Sequence, residues 1–174
     1  MKKMTHILVA SLCSVATAAA LADSSAPNDA QIAGIVVTAN TVDINAGKLA
    51  EKMSHNMEVK EFAKQMEVDH ASVNKQATAL VKKLHVKPED SDTSKSLKED
   101  GAANIHKLKG LKGKDFDHAY VDNEVAYHQA VLDAMDKTLI PNAKNAELND
   151  TLVKVRPLFE AHLEHAKHLQ ASLQ

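Results

Sequence analysis

The chain has 174 residues, a formal net charge of −2, three Phe, two Tyr, no Trp and only five Gly. This length suits a single domain with its own core, and the mild acidity argues against nucleic acid as a partner. A core drawn mostly from Ala, Leu, Val and Met favours close helix packing over a sheet. We therefore predict an all-α fold.

The N-terminus has the pattern of a secretory signal peptide. Lys2 and Lys3 precede an apolar run, and a small-x-small cleavage site ends at Ala22. The run is too short and too rich in Ala and Ser for a membrane span. We expect residues 1–22 to be removed and residues 23–174 to form the domain. Loss of the two lysines takes the formal charge from −2 to −4.

The single cysteine, Cys13, lies inside this signal segment. It follows Leu12, whereas a lipid-attachment site requires a small residue there, so we do not expect a lipid anchor. The mature chain has no thiol, which excludes disulfides and thiolate metal sites. It also has no second apolar span. We expect a periplasmic or secreted protein without an integral membrane span, and association with the outer membrane is less expected.

Apolar residues recur at close to a 3.6-residue spacing in four segments of the mature chain. Long helices are predicted over about 29–54, 58–84, 115–139 and 143–173. Asn28 or Asp29 is the predicted cap of the first helix and Asp115 that of the third. Pro141 is predicted to end the third helix and Pro157 to kink the fourth.

Residues 85–113 break the pattern with Pro88, an acidic run and three glycines. A short helix over about 94–108 has only a weak apolar edge. Because the segment is too long for a tight turn, we expect it to cross from one end of the molecule to the other. The short links elsewhere make each helix pair antiparallel. The prediction is a four-helix bundle of two up-down pairs, joined by a long crossover that contains a short extra helix.

Three histidines lie near the middles of three predicted helices, on the apolar stripe of each. They are His70, His128 and His162. In a bundle the helix midpoints share a common height, so the three imidazoles are expected to meet, with Asp43 of the first helix beside them. A buried histidine requires a hydrogen-bond acceptor, a carboxylate or a metal.

Further carboxylates share faces with these histidines. Glu67 precedes His70 by three residues, and Glu124 precedes His128 by four. Asp69, like Asp122 on the third long helix, is a candidate to orient an imidazole. The predicted metal set is therefore His70, His128, His162, Asp43, Glu67, Asp69 and Glu124.

Nitrogen and oxygen donors of this kind suit a transition metal ion such as zinc, iron or copper. A full di-iron site would require Glu-x-x-His on two helices, but Phe159 stands three residues before His162. The alternative is a hydrogen-bonded polar layer that fixes helix register without any ligand. From spacing alone that alternative is the favoured one.

Three sequence blocks carry a family resemblance. They are Phe62-Ala63-x-x-Met66-x-x-Asp69-His70, Phe116-Asp117-x-x-Tyr120 with His128, and Pro157-x-x-x-x-His162-x-x-x-Ala166. They resemble the bacterial domain-of-unknown-function 4142 family, whose members are exported and often labelled outer membrane proteins. The resemblance covers about residues 28–172 and implies a ferritin-like helical bundle. It implies no established activity, and Asp43 stands where the family usually has Glu.

Two functions stay open from the sequence. The first is a metal-binding or metal-handling protein of the periplasm. The second is a non-catalytic envelope protein, acting in stress tolerance or on an envelope protein partner, with a structural layer of His and Asp. No nucleophile motif, phosphate loop or dinucleotide fingerprint is present, so we do not predict an enzyme. A redox di-metal centre is the weakest of the alternatives.

Overall fold

The computed structural model describes residues 26–173, and this part of the chain is helical without any strand. The helices are α1 (Asp29–Met53), α2 (Met57–Lys83), α3 (Asp92–Lys109), α4 (Gly113–Ala134), a π-helical turn (Met135–Leu139), α5 (Ile140–Asn142) and α6 (Ala146–Ser172). The all-α prediction is confirmed. The predicted signal peptide lies outside the described residues.

Four of the helices begin at a residue whose side chain accepts hydrogen bonds from the first turn. These N-caps are Asn28, Asn56, Ser91 and Asn145. The predicted cap at Asp115 is wrong. Helix α4 begins two residues earlier, after Lys112, and Gly113 takes a φ of 55° that favours glycine. Asp115 lies in the first turn, where its charge complements the helix dipole.

Helices α1 and α2 are antiparallel. Asn74 donates to the carbonyl of Val37, and a Cβ on Gly47 would lie 2.9 Å from the carbonyl oxygen of Ala63. As the residue number rises along α1, the number of the contacting residue on α2 therefore falls. The close approach at Gly47 requires a residue without a side chain, so this glycine lets α1 and α2 pack closely at that point.

Helices α4 and α6 form a second antiparallel pair. Gln170 donates to Asp122 near one end, at 2.7 Å. The Arg156 guanidinium bonds both carboxylate oxygens of Asp136 in the π turn. These two contacts show the register of α4 and the π turn against α6.

Helix α6 is also antiparallel to α2, because Lys83 pairs with Glu147 and Ser172 donates to Glu58. It follows that α2 and α4 point the same way, and the chain between them must return along the molecule. Helix α3 occupies this return path and packs against α1.

The sequence predicted that Pro141 ends the third long helix, but the helical path continues through it. The chain passes from α4 through the π turn into α5, with Pro141 in the first turn of α5. Proline is tolerated there because a first-turn residue needs no backbone N–H inside the helix. Pro157 lies inside α6, which continues as helix on both sides of it.

The core has two apolar halves. One holds Phe62, Met66, Phe116, Tyr120 and their neighbours. The other is built around Ile32, Ile35, Val73, Leu132, Leu152 and Phe159. Buried polar residues of α1, α2, α4 and α6 lie at or near the boundary between the two halves: Asn40, Asp43, His70, Glu124, His128 and His162. The fold therefore places a buried polar layer at mid-height, with apolar side chains above and below it.

Candidate metal centre

The three predicted histidines meet in the polar layer. The ring centroid of His70 lies 5.6 Å from that of His128 and 5.2 Å from that of His162, and the remaining pair is 5.4 Å apart. The exposed fraction of each residue is 3% or less. One nitrogen from each ring lies within 4.8 Å of the other two. The imidazoles thus form a compact, buried triangle.

His70 is held by its Nδ1 atom, which lies 2.7 Å from Oδ1 of the buried Asn40. The amide nitrogen of Asn40 donates to Asn74, so its oxygen is left to accept and Nδ1 carries the proton. The other ring nitrogen, Nε2, lies 3.1 Å from Oδ2 of Asp43. That contact lacks hydrogen-bond geometry, so the two atoms are close without a bond between them.

His128 is held in the same manner from its own helix. Its Nδ1 lies 3.0 Å from the main-chain carbonyl oxygen of Glu124. A carbonyl only accepts, so Nδ1 must carry the proton and Nε2 keeps its lone pair. That Nε2 lies 3.4 Å from the same oxygen of Asp43 that faces His70. The Asp43 carboxylate therefore lies between two imidazole nitrogens.

His162 is oriented from helix α2. Its Nε2 lies 2.9 Å from Oδ2 of Asp69, and a carboxylate at this distance accepts the ring N–H. The remaining nitrogen, Nδ1, is buried and has no hydrogen-bond partner among the described residues. Its lone pair is therefore free inside the cluster.

Each imidazole thus has one nitrogen fixed by an acceptor and one bare nitrogen in the interior. Metal-binding histidines share this arrangement, because the outer hydrogen bond sets the tautomer and aims the ring. Buried polar atoms without partners are costly. Asp43, His70, His128 and His162 contribute five such atoms within the described chain. A cation among them would satisfy the bare atoms together.

Burial shifts the pKa values of several groups in the cluster. Burial lowers the pKa of His128 to about 4 and also lowers the pKa of His162. Burial raises the pKa of Asp43, but attraction to the positively charged forms of the neighbouring imidazoles, His70 first, outweighs burial and holds the pKa below its usual value. Burial, assisted by Asp43, raises the pKa of Glu124 well above its usual range. These shifts favour neutral rings at His128 and His162 and an ionised carboxylate at Asp43.

Glu124 lies at the edge of the cluster. Its Oε2 is 3.6 Å from Nδ1 of His128, and it is buried without a hydrogen-bond partner in the described residues. One oxygen each from Asp43 and Glu124 and one nitrogen of His128 form a second group within 4.8 Å. Both groups include His128, so the carboxylates adjoin the histidine triangle.

Two of the predicted carboxylates take other positions. Glu67 lies beside Gly47 and Glu51, and burial together with Glu51 raises its pKa. It belongs to neither group of close ligand atoms among residues 26–173. Asp122 accepts from Gln170. Asp69 is in the orienting position that the sequence predicted, since it holds His162.

Sequence reasoning did not assign Asn40, the buried Tyr120 or the half-buried Tyr127 to the site. Asn40 precedes Asp43 by three residues and so shares its helix face, a spacing that was visible in the sequence. Tyr127 donates to the Ala39 carbonyl and ties α4 to α1. Tyr120 is fully buried, and its hydroxyl has no partner in the described chain. Burial, with Glu124 next, raises its pKa well above the usual value.

A family model described as domain of unknown function (DUF4142) matches residues 14–169. The chain belongs to this family. The resemblance drawn from the three sequence blocks is therefore confirmed. No curated protein and no solved structure shows significant similarity to the chain. None of the helices within residues 26–173 has the length and apolar character needed to cross a membrane.

Proposed function

We propose that this member of the DUF4142 family is an exported, ferritin-like helical bundle that binds a transition metal ion at its centre. The ligands are His70, His128 and His162, with Asp43 as the carboxylate. One observation supports the proposal above all. Each imidazole is aimed by an acceptor on one nitrogen and leaves the other nitrogen bare in the cluster.

The donor set limits the choice of metal. Three imidazoles and a carboxylate are hard to borderline donors, in contrast to soft thiolate ligands. Such donors suit zinc, iron or copper ions. Asp43 supplies a negative charge at a buried position, where its attraction for a cation is stronger than in water. Glu124 adds a second carboxylate, because a nearby cation favours its ionised form.

The ferritin-like arrangement is supported by the helix directions. Helices α1 and α2 form one antiparallel pair, α4 and α6 form the other, and the connection containing α3 returns between them. Metal sites of such bundles are built from inward side chains at mid-height. The polar layer between the two core halves occupies this position.

Export is part of the same proposal. The basic start, apolar run and cleavage site at Ala22 direct the chain to the periplasm or the medium. There a metal-binding bundle would take its ion from the envelope rather than from the cytoplasm. N-terminal sequencing of the protein recovered from periplasmic extract should begin at Asp23.

Elemental analysis of untagged protein, purified without chelators, tests the metal. We expect about one equivalent of metal per chain. His70→Ala should abolish this binding, whereas His106→Ala should leave it intact because His106 is exposed on α3. A folded wild-type protein without metal, even after incubation with zinc, iron or copper ions, contradicts the proposal.

A second candidate is a non-catalytic envelope protein whose polar layer is structural. The chain of hydrogen bonds from Asn74 through Asn40 to His70 favours it, because this chain ties α2 to α1 without any ion. On this alternative, His70→Gln lowers stability but leaves capture of an envelope protein partner unchanged. Stoichiometric metal in the native protein would exclude it.

A further inference from the structure

A cavity of about 230 Å³ lies beside the histidine cluster. Its walls come from α1, α4, the π turn and α6, and they are mostly aliphatic, with Ile35, Val131, Met135 and Leu152 among them. His70 and His128 both line it. The apolar cavity therefore adjoins the proposed metal centre.

The outer side of the cavity is formed by helix α3 of the crossover. Thr93, Leu97 and Asp100 line it there, and Thr93 and Asp100 are exposed. His70 and His128, in contrast, are almost fully buried. The cavity thus extends from the surface beneath α3 to the imidazoles.

The size and lining of the cavity define the kind of molecule that fits. An apolar cavity of about 150 Å³ is enough to hold benzene, so this one accommodates a six-membered ring with a small substituent. Asp100, the charged lining residue, is on the exposed rim. A charged ligand would lose its hydration without a partner in the apolar part. The fitting ligand is neutral and mainly apolar.

We propose that this cavity binds a small neutral molecule of about the size of an aromatic ring and brings one of its lone-pair atoms to the bound metal. The part that concerns the metal rests on the proposed function, whereas the cavity itself does not. Without a cation, the bare atoms of the adjoining cluster are acceptors: Nε2 of His70, Nε2 of His128 and the Asp43 carboxylate. A ligand lone pair gains nothing there until a metal is present.

The π turn forms part of the wall of this cavity. Met135 and Leu139, its first and last residues, both line the cavity. A π turn widens the helix locally and often accompanies a functional site. The position of the π turn at the end of α4 directs these two apolar side chains toward the cavity.

Benzene and pyridine are suitable probes, because they share size and shape and only pyridine has a lone pair. Binding would be measured by titration calorimetry on metal-free and zinc-loaded protein. The cavity-filling variant is Val131→Phe, with Val153→Phe as its matched control, since Val153 is 51% exposed on α6 and lines no part of the cavity. Circular dichroism confirms that each variant folds, and Val131→Leu replaces the first variant if it does not.

We expect benzene to bind the metal-free wild type and the Val153→Phe control, and Val131→Phe to weaken it at least about tenfold. Pyridine should match benzene without metal and bind at least about tenfold more tightly with zinc. Absence of benzene binding by the folded wild type overturns the cavity, whatever the metal content. Equal affinities for the two probes in protein shown to contain zinc overturn the approach to the metal. Failure to load zinc refutes the proposed function, while the benzene result still decides the cavity.

Discussion

Replacing Asp69 with alanine should weaken metal binding although Asp69 is not expected to touch the ion. Its carboxylate accepts the N–H of His162 at 2.9 Å and so aims the bare Nδ1 into the cluster. Loss of such an orienting partner costs about 10–100-fold in metal affinity, or about 1.4–2.7 kcal/mol. The cost in folding stability should be smaller, about 1 kcal/mol, because the side chain is 28% exposed and water replaces part of the bond.

Zinc affinity would be measured by competition with a chelating dye, and stability by urea denaturation of the metal-free protein. Asp122→Ala is the matched control, since Asp122 is an exposed helical aspartate that bonds Gln170 rather than a histidine. It should leave zinc affinity within about twofold of wild type. Asp69→Asn, which keeps an acceptor oxygen, should retain more affinity than Asp69→Ala. If Asp69→Ala lowers stability and leaves zinc affinity unchanged, Asp69 does not orient a ligand.

Three further predictions concern the fold around the centre. Phe159→Ala removes a buried ring that stacks on a site imidazole, and urea denaturation should show a loss of about 3–5 kcal/mol; a loss below about 1 kcal/mol would contradict this packing. In the folded, metal-free protein, burial lowers the pKa of His128 to about 4, whereas the usual pKa of an unfolded histidine is about 6.5. Between these pH values the unfolded chain binds a proton at His128 that the folded chain does not. Stability should therefore fall between those pH values by on the order of 3 kcal/mol, and urea midpoints unchanged from pH 7 to 4.5 would refute a neutral buried ring. Gly34→Ala should cost about 1–3 kcal/mol because its Cβ would overlap the Glu89 carbonyl oxygen, whereas Gly110→Ala, at ordinary contact distance, should be nearly neutral; equal melting temperatures for the two would argue against the close approach of the crossover to α1.

The helices were predictable because apolar periodicity extends over many turns of each. The residues at which the helices begin and end were less predictable. Asp115 is a good cap by residue type, yet Gly113 can adopt a positive φ and lets α4 begin earlier. Pro141 normally stops a helix, but the π turn before it changes the hydrogen-bond pattern. Local rules fail where a neighbouring residue or turn alters the backbone they assume.

The meeting of the three imidazoles was predictable from the helix lengths and the apolar stripes, because midpoints of packed helices share a height and the stripes face inward. The surroundings of each ring were not. Helical spacing places Glu67 on the face of His70, but the packing of α1 against α2 sets it beside Gly47 and Glu51 instead. Asn40 was missed because an amide on an apolar stripe has no distinctive chemistry until its partner is known. Such contacts depend on helix rotation, which periodicity fixes only coarsely.

Anomalous X-ray scattering from a crystal of the untagged, metal-loaded protein tests the central claim most directly. We predict a single peak within about 2.0–2.2 Å of Nε2 of His70, Nε2 of His128 and Nδ1 of His162, with Asp43 as the oxygen ligand. A well-ordered map with no peak among these atoms, or with the metal only on surface histidines, would contradict it.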